Sequence, residues 1–332
     1  MSIGGRLGPD KNDDKSVRIL NRVVEWTNEG ICYEADQRHA EIIVQQLQLG
    51  SATTLSSPGE KVDAKKCSEK DLQLLDPGDA TIYRGLVARA NYLSQDRSDI
   101  KFAVKTLAKW MSAPRNVDLK GLIHLGRYLK GKMRVINEMK YQKAWKIMDI
   151  WCDTDHAGCP WSRKSTSGGV VMFGNHVVKH WSSTQTLISL SSGEAEYYGC
   201  VRASAHGLGI KSMLADLGVT GKRLRIKTDA SVAKSLANRR GLGGIRHIEV
   251  NQLWLQEKVN QGTIEIEKVK GETNRADILT KFKDGEALKQ QLTWTGQVLT
   301  FGRHAIAPKL ATSGQEAIEE AIIESDDGEE QL

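Results

Sequence analysis

From residue 145 onward the hydrophobic periodicity changes from helical to extended and back in a definite order, and this order limits the architectures open to the chain. MDIWCDTD (148–155) reads as a strand. SGGVVMFG (167–174) and NHVVKHWSS (175–183) read as two more, joined at Gly174-Asn175, a good hairpin signal. A long helix follows from Ser191 to Gly218, with Ser191 and Glu194 at capping-box spacing. LRIKTD (224–229) reads as a strand running into the helix ASVAKSLAN, HIEVNQLWLQEKVNQG as a helix, TIEIEKVKG as a strand, and ADILTK (276–281) as the start of a further helix. The order βββαβα, then α, β, α, specifies a mixed α/β layer fold and excludes an all-helical or all-β chain.

The first half has a different texture. Residues 1–16 are polar and Gly-rich and are expected to be disordered. Residues 17–50 read as a strand and then the helix AEIIVQQLQLG, and 51–78 as a linker. Three amphipathic helices follow: one with Ile82, Leu86, Ala90 and Leu93 on a face, one with Ile100, Val104, Leu107 and Met111, and, after the break at Pro114, one with Leu119, Leu122, Ile123 and Leu129. Over residues 80–131 they predict a small helical module.

Charge is unevenly placed. The net charge is +6, but the 22 residues from Ala311 hold eight acids and no Lys or Arg, and read as a disordered acidic tail over 311–332. Without that tail, 47 basic residues face 33 acids, a net +14. A basic body suits a polyanionic partner such as nucleic acid. The five cysteines form no CxxC pair, so reduced thiols are expected rather than a zinc site. No apolar run approaches the roughly 18 residues of a membrane span, and the amino terminus has no signal-like stretch. The expectation is an intracellular protein with no membrane partner, or a piece of a longer chain.

Four acids fall where strands end or helices begin. Asp153 ends the first strand, Glu196 lies in the first turns of the long helix, Asp229 ends LRIKTD, and Asp277 opens ADILTK. If the strands are neighbours, these acids converge at one sheet edge. Four adjacent carboxylates cannot all stay ionised without counter-charge, and hard divalent cations supply it. Taken singly, each acid has a plainer explanation as a helix cap or a surface charge.

WCDTDHAGCPWSRKSTSGGVVMFG, VVKHWSSTQTLISLSSGEAEYYG, RIKTDASVAKSLAN and KGETNRADILTK closely resemble, in order and over about 130 residues, the ribonuclease H domain of copia-type retrotransposon polyproteins. DTDHAG followed by RKSTSG and SSGEAEY is the most specific part. The resemblance implies an α/β fold, a ribonuclease H-like mixed sheet flanked by helices and preceded by the helical module. It also implies metal ligands at Asp153, Glu196, Asp229 and Asp277, holding two Mg²⁺ ions, with Mn²⁺ the alternative. Asp155 is the runner-up at the first position and Glu194 at the second. Arg163, Lys164 and Arg246 are candidate phosphate contacts. His247, in Arg246-His247-Ile248, is a candidate for orienting substrate, with a structural or solvent-facing role equally open.

Upstream, YRGLVARANYLSQDRSDIKFAVKTLAKWMSAP and LGRYLKGK resemble, more loosely, the segment that joins polymerase to ribonuclease H, with Arg97-Ser98-Asp99 where Arg-Pro-Asp is usual. This gives a thumb- or connection-like remnant over 17–145 and a ribonuclease H-like domain over 146–295. The Tyr-x-Asp-Asp of a reverse transcriptase is missing: the Asp-Asp pairs are Asp13-Asp14 and Asp326-Asp327, neither after such a Tyr. The implied activity is hydrolysis of the RNA strand of RNA–DNA hybrids during reverse transcription. The implied partners are the hybrid and the polymerase domain of a parent polyprotein, in a cytoplasmic particle or the nucleus. The alternative is a catalytically silent fragment that binds nucleic acid. An integrase-like Asp-Asp-Glu set is disfavoured, because the order here is Asp, Glu, Asp, Asp.

Overall fold

The computed structural model describes residues 5–241, 248 and 253–310. The second half forms the expected ribonuclease H-like mixed sheet. Its strands are β5 (Ile147–Asp155), β6 (Thr166–Phe173), β7 (His176–Thr184), β8 (Arg223–Thr228) and β9 (Ile264–Lys268), in the order β7-β6-β5-β8-β9. β5, β6 and β7 are antiparallel neighbours, whereas β8 pairs parallel to β5 and β9 parallel to β8. The β5–β8 pairing stops at Trp151 opposite Lys227, but β5 runs on to Asp155 against β6. Asp153, opposite Gly168, and Asp229, just past the end of β8, therefore lie beyond the same end of the parallel pair.

The two faces of this sheet bury different side chains, as the alternation of an extended chain requires. Met148, Ile150 and Cys152 of β5 pack with Leu224 and Ile226 under α6 (Ser192–Asp216) and α7 (Ser231–Asn238). Trp151, Val170 and Met172 point the other way, into a core shared with helices from the first half. Those helices are α1 (Arg38–Gln46), the short α2 (Glu69–Leu72), α3 (Pro77–Leu93), α4 (Ser98–Ala108) and α5 (Asn116–Gly131). The helical module is thus a layer on the sheet and not a free-standing bundle. On α3 the buried stripe is Tyr83, Leu86, Val87, Ala90 and Leu93, while Ile82 is half exposed, because a period of 3.6 puts Tyr83 and Val87 beyond Ala90 on the side of the stripe away from Ile82.

A second sheet was not foreseen in full. β1 (Ser16–Ile19), β2 (Arg22–Thr27), β3 (Gly30–Glu34), β4 (Arg134–Lys140) and β10 (Gln297–Thr300) form one antiparallel sheet in that order. One strand was expected before α1 and three are present. Residues 5–15, expected to be disordered, make a closed turn in which Asp14 N–H donates to Arg6 O at 2.8 Å and Lys15 Nζ to Asp10 O at 2.7 Å. The expected linker is partly ordered by α5: Lys130 Nζ donates to the carbonyls of Gly50 and Ala52, both at 2.7 Å. At the other end, α8 (Trp254–Asn260) covers the second half of the expected helix, and the ADILTK segment is a single tight turn, Asp277–Leu279, before α9 (Gly285–Trp294) capped by Asp284. The acidic segment 311–332 lies outside the described residues.

Candidate active site

Each acid reaches the sheet edge by a different local device. Asp153 is carried by β5. Glu196 is the fifth residue of α6, whose start is fixed by Ser191: its Oγ accepts from the Glu194 N–H at 3.2 Å. The expected capping box is only half made, since the Glu194 carboxylate accepts from Leu190 N–H, at 2.9 Å, instead of closing on Ser191. Gly199, one turn beyond Glu196, lets α6 lie against β5, because a Cβ there would meet Thr154 Oγ1 at 2.5 Å.

The turn bearing Asp277 is brought in by burial. Ile278 and Leu279 sit in the core on the β6 side, contributing about 1.5–3 kcal/mol each by removal from water. A Cβ on Gly168 would come within 2.7 Å of Leu279 Cβ, so only glycine opposite Asp153 admits the turn. Asn274, fully buried, ties the turn to β5 by donating from Nδ2 to Cys152 O at 2.9 Å. Thr280 Oγ1 then donates to Asp153 Oδ2.

One ligand atom from each of Asp153, Glu196 and Asp229 lies within 4.8 Å of the others. Asp277 lies outside that group, with its two carboxylate oxygens paired to Lys281 Nζ and Lys283 Nζ. The four acids are near neighbours, but three face one another and the fourth is engaged by lysines. Burial, opposed by Lys281 and the Thr280 hydroxyl, raises the Asp153 carboxyl to about 6. Burial and then the charge of Asp153 push Glu196 up to about 9. Glu196 Oε2 is buried without a hydrogen-bond partner. An all-oxygen donor set with a buried acceptor unmatched by any protein donor fits a hard divalent cation.

The runners-up have other employment. Glu194 is buried and accepts from Tyr198 OH at 2.8 Å as well as from Leu190. Asp155 is also raised by burial, against the charges of Lys61, Lys105 and Lys281, and is not in the three-acid group. Among the described residues a second group, Glu25, Glu34 and His304, has similar spacing. There Arg134 already takes both Glu34 oxygens, at 2.5 and 2.8 Å, which makes that group an ion-paired structural contact.

Arg163 and Lys164 lie on the β5–β6 loop. Arg163 is exposed, with φ of 56°. The loop is clasped by the helical layer. Trp161 meets Trp110 edge-on with ring centroids 6.1 Å apart, and the Arg115 guanidinium lies 3.8 Å from the Trp110 centroid and 4.4 Å from that of Trp161. Lys109 Nζ donates to Cys159 Sγ at 2.8 Å. Burial alone would raise that thiol, but hydrogen bonds from Lys109 and Ser162 bring it down to about 6. Arg246 and His247 lie outside the described residues. Thr280, Asn274, Lys281 and Lys283 were not singled out from the sequence. Lys281 ends the ADILTK signature and Lys283 lies two residues beyond it, and that signature is the signal that could have pointed to them.

No family model matches the chain. It is 30% identical over 207 residues to the retrovirus-related Pol polyprotein from transposon RE1 of Arabidopsis thaliana, and 24% identical over 251 residues to that from transposon TNT 1-94 of Nicotiana tabacum. The chain is similar to part of the retrovirus-related Pol polyproteins of these plant transposons. The matches cover 61% and 74% of this chain but only 14% and 19% of those polyproteins. Among solved structures, LC11-RNase H1 in complex with an RNA/DNA hybrid aligns over 44% of this chain and 99% of its own, at 18% identity and a TM-score of 0.28. No helix among the described residues is long and apolar enough to cross a membrane.

Proposed function

We propose that this Pol-derived chain is a metal-dependent endoribonuclease that hydrolyses the RNA strand of RNA–DNA hybrids, with residues 146–295 as the catalytic unit and 17–145 as a connection-like support. The observation that carries this is the convergence of Asp153, Glu196 and Asp229 at the end of the parallel strand pair, with a buried Glu196 oxygen that no protein donor satisfies. Among the described residues the buried acids Glu34, Asp36 and Asp99 are each paired with an arginine, whereas Glu196 keeps an oxygen without a donor.

Asp153, Glu196 and Asp229 would hold a Mg²⁺ or Mn²⁺ ion, with Asp277 contributing to a second ion in the reacting complex. Divalent cations held there supply an activated water and stabilise charge on the phosphate oxygens. The chain's own residues do the rest. The β5 and β8 ends fix two carboxylates on a rigid sheet, and the Thr280 hydroxyl holds the Asp153 carboxylate in place. Arg163 and Lys164, on a loop braced by Trp110, Arg115 and Lys109, contact backbone phosphates. Contacts to 2′-hydroxyls distinguish the RNA strand.

The test is incubation of the purified chain with hybrid labelled on the RNA strand, with and without Mg²⁺, beside Asp229→Asn. Metal-dependent cleavage that is lost in Asp229→Asn, with hybrid affinity nearly unchanged, is expected. Binding without cleavage would favour the silent nucleic-acid-binding fragment. Equal cleavage by Asp229→Asn would remove that residue from the site.

A further inference from the structure

We infer that Lys281 is a resident counter-cation that stands in the place of the second divalent ion, so that the free protein takes up one ion and admits another only when this ammonium is withdrawn. The inference rests on the proposed metal-dependent function and concerns how many ions the acids can hold. Four carboxylates were expected to share two ions. The geometry divides them instead. Asp153, Glu196 and Asp229 face one another, while both oxygens of Asp277 are already paired, Oδ1 with Lys281 and Oδ2 with Lys283.

Of the two lysines, Lys281 is the one turned toward the cluster. Its side chain, half exposed, pairs with Asp277, and the charges of Asp153, Asp277 and Asp229 all act on it. Lys283 contacts the other oxygen of Asp277, and Asp153 and Asp229 are not among the charges paired with it. Thr280, adjacent in sequence, binds Asp153 Oδ2 and its own turn's Asp277 carbonyl, so the backbone that presents Lys281 is anchored to the first acid of the cluster. An ammonium held there pairs with Asp277 and acts through its charge on Asp153, so it offsets part of the negative charge that a second ion would otherwise offset. It carries one charge where a divalent ion carries two, and a flexible four-carbon stem lets it leave without unfolding the turn. A polyanionic substrate offers that ammonium a competing partner in its phosphates, which couples entry of the second ion to arrival of the nucleic acid.

The test is the number of Mn²⁺ ions bound per chain in the absence of nucleic acid, read from the loss of the free-ion electron paramagnetic resonance signal. Wild type and Lys281→Met are compared, with Lys281→Gln as a second variant and melting curves to establish folding. One ion per wild-type chain and two per Lys281→Met or Lys281→Gln chain is the expected result. Two ions in wild type, or one in the folded variants, would overturn the inference while leaving the three-acid site intact. No ion in any of them would remove the proposed metal site itself, and the inference with it.

Discussion

Among the regions of the molecule that bury carboxylates, the start of α4 and the end of β5 treat them in opposite ways. At the start of α4, Asp99 is 2% exposed and fully served: Arg97 Nη2 donates at 2.5 Å, Arg97 Nε at 3.1 Å and Tyr128 OH at 2.8 Å. The fully buried Arg97 also donates to Lys132 O at 2.6 Å, and Ser98 Oγ donates to Gln297 Oε1 at 2.5 Å, tying the turn to the strand that closes the amino-terminal sheet. At the end of β5, Asp153 is 4% exposed but has no arginine, and Glu196 keeps an unmatched buried oxygen. The first arrangement stabilises the fold. The second leaves buried carboxyl groups short of donors, which disfavours their ionised forms unless a cation is bound. What separates structural from functional acids here is whether the chain supplies a fixed arginine with a full donor set, as at Asp99, or only a flexible lysine at the margin of the cluster, as at Asp277.

The largest difference is expected in stability. Asp99→Ala leaves Arg97 charged and buried and should cost about 3–5 kcal/mol in urea denaturation. Asp153→Asn in chelator should cost nothing or gain slightly, because it relieves repulsion. Equal losses for the two would erase the contrast.

A smaller effect follows from protons. Glu196 is raised from its ordinary 4.5 to about 9, so between those values the folded metal-free protein holds a proton that the unfolded chain has released. Stability from this group is then complete below about pH 4.5 and is lost as pH rises toward 9. The slope is about 1.4 kcal/mol per pH unit while one proton separates the states. Chelated protein melted from pH 5 to 9 should show that decline, and Glu196→Gln should flatten it. An unchanged slope in Glu196→Gln would mean that other groups set the pH dependence.

The smallest effect concerns the neighbour two residues earlier. Glu194→Gln exchanges one carboxylate oxygen for a donor where Leu190 N–H and Tyr198 OH both donate. It should cost about 1 kcal/mol and leave hybrid cleavage in place. Loss of cleavage with a normal melting curve would return Glu194 to the ligand set.

The parts legible in the sequence were those with strong periodicity or a cap. β5 and β6 carry extended apolar runs, Gly174-Asn175 marks the hairpin into β7, and Ser191 marks the start of α6. Three of the four acids meet because they end strands or begin a helix that the sheet order makes neighbours. β4 and β10 were missed because RVINEMK and QVLT are short, mixed in polarity and paired across 160 residues of chain, as in Gln297 opposite Asn137. ADILTK reads as a helix start, yet Thr280 and the buried Ile278-Leu279 pair hold it to one tight turn. Lysines 281 and 283 were not singled out, since their partner Asp277 is set by that turn and not by spacing.

The claim that the three acids form a cation site is tested most directly by melting the wild-type chain and Asp229→Asn in chelator and in saturating Mn²⁺. A ligand present at about one hundred times its Kd stabilises the folded state by about 2.7 kcal/mol. The account predicts a rise in melting temperature for wild type and none for Asp229→Asn. An equal rise in both, or none in wild type, would contradict it.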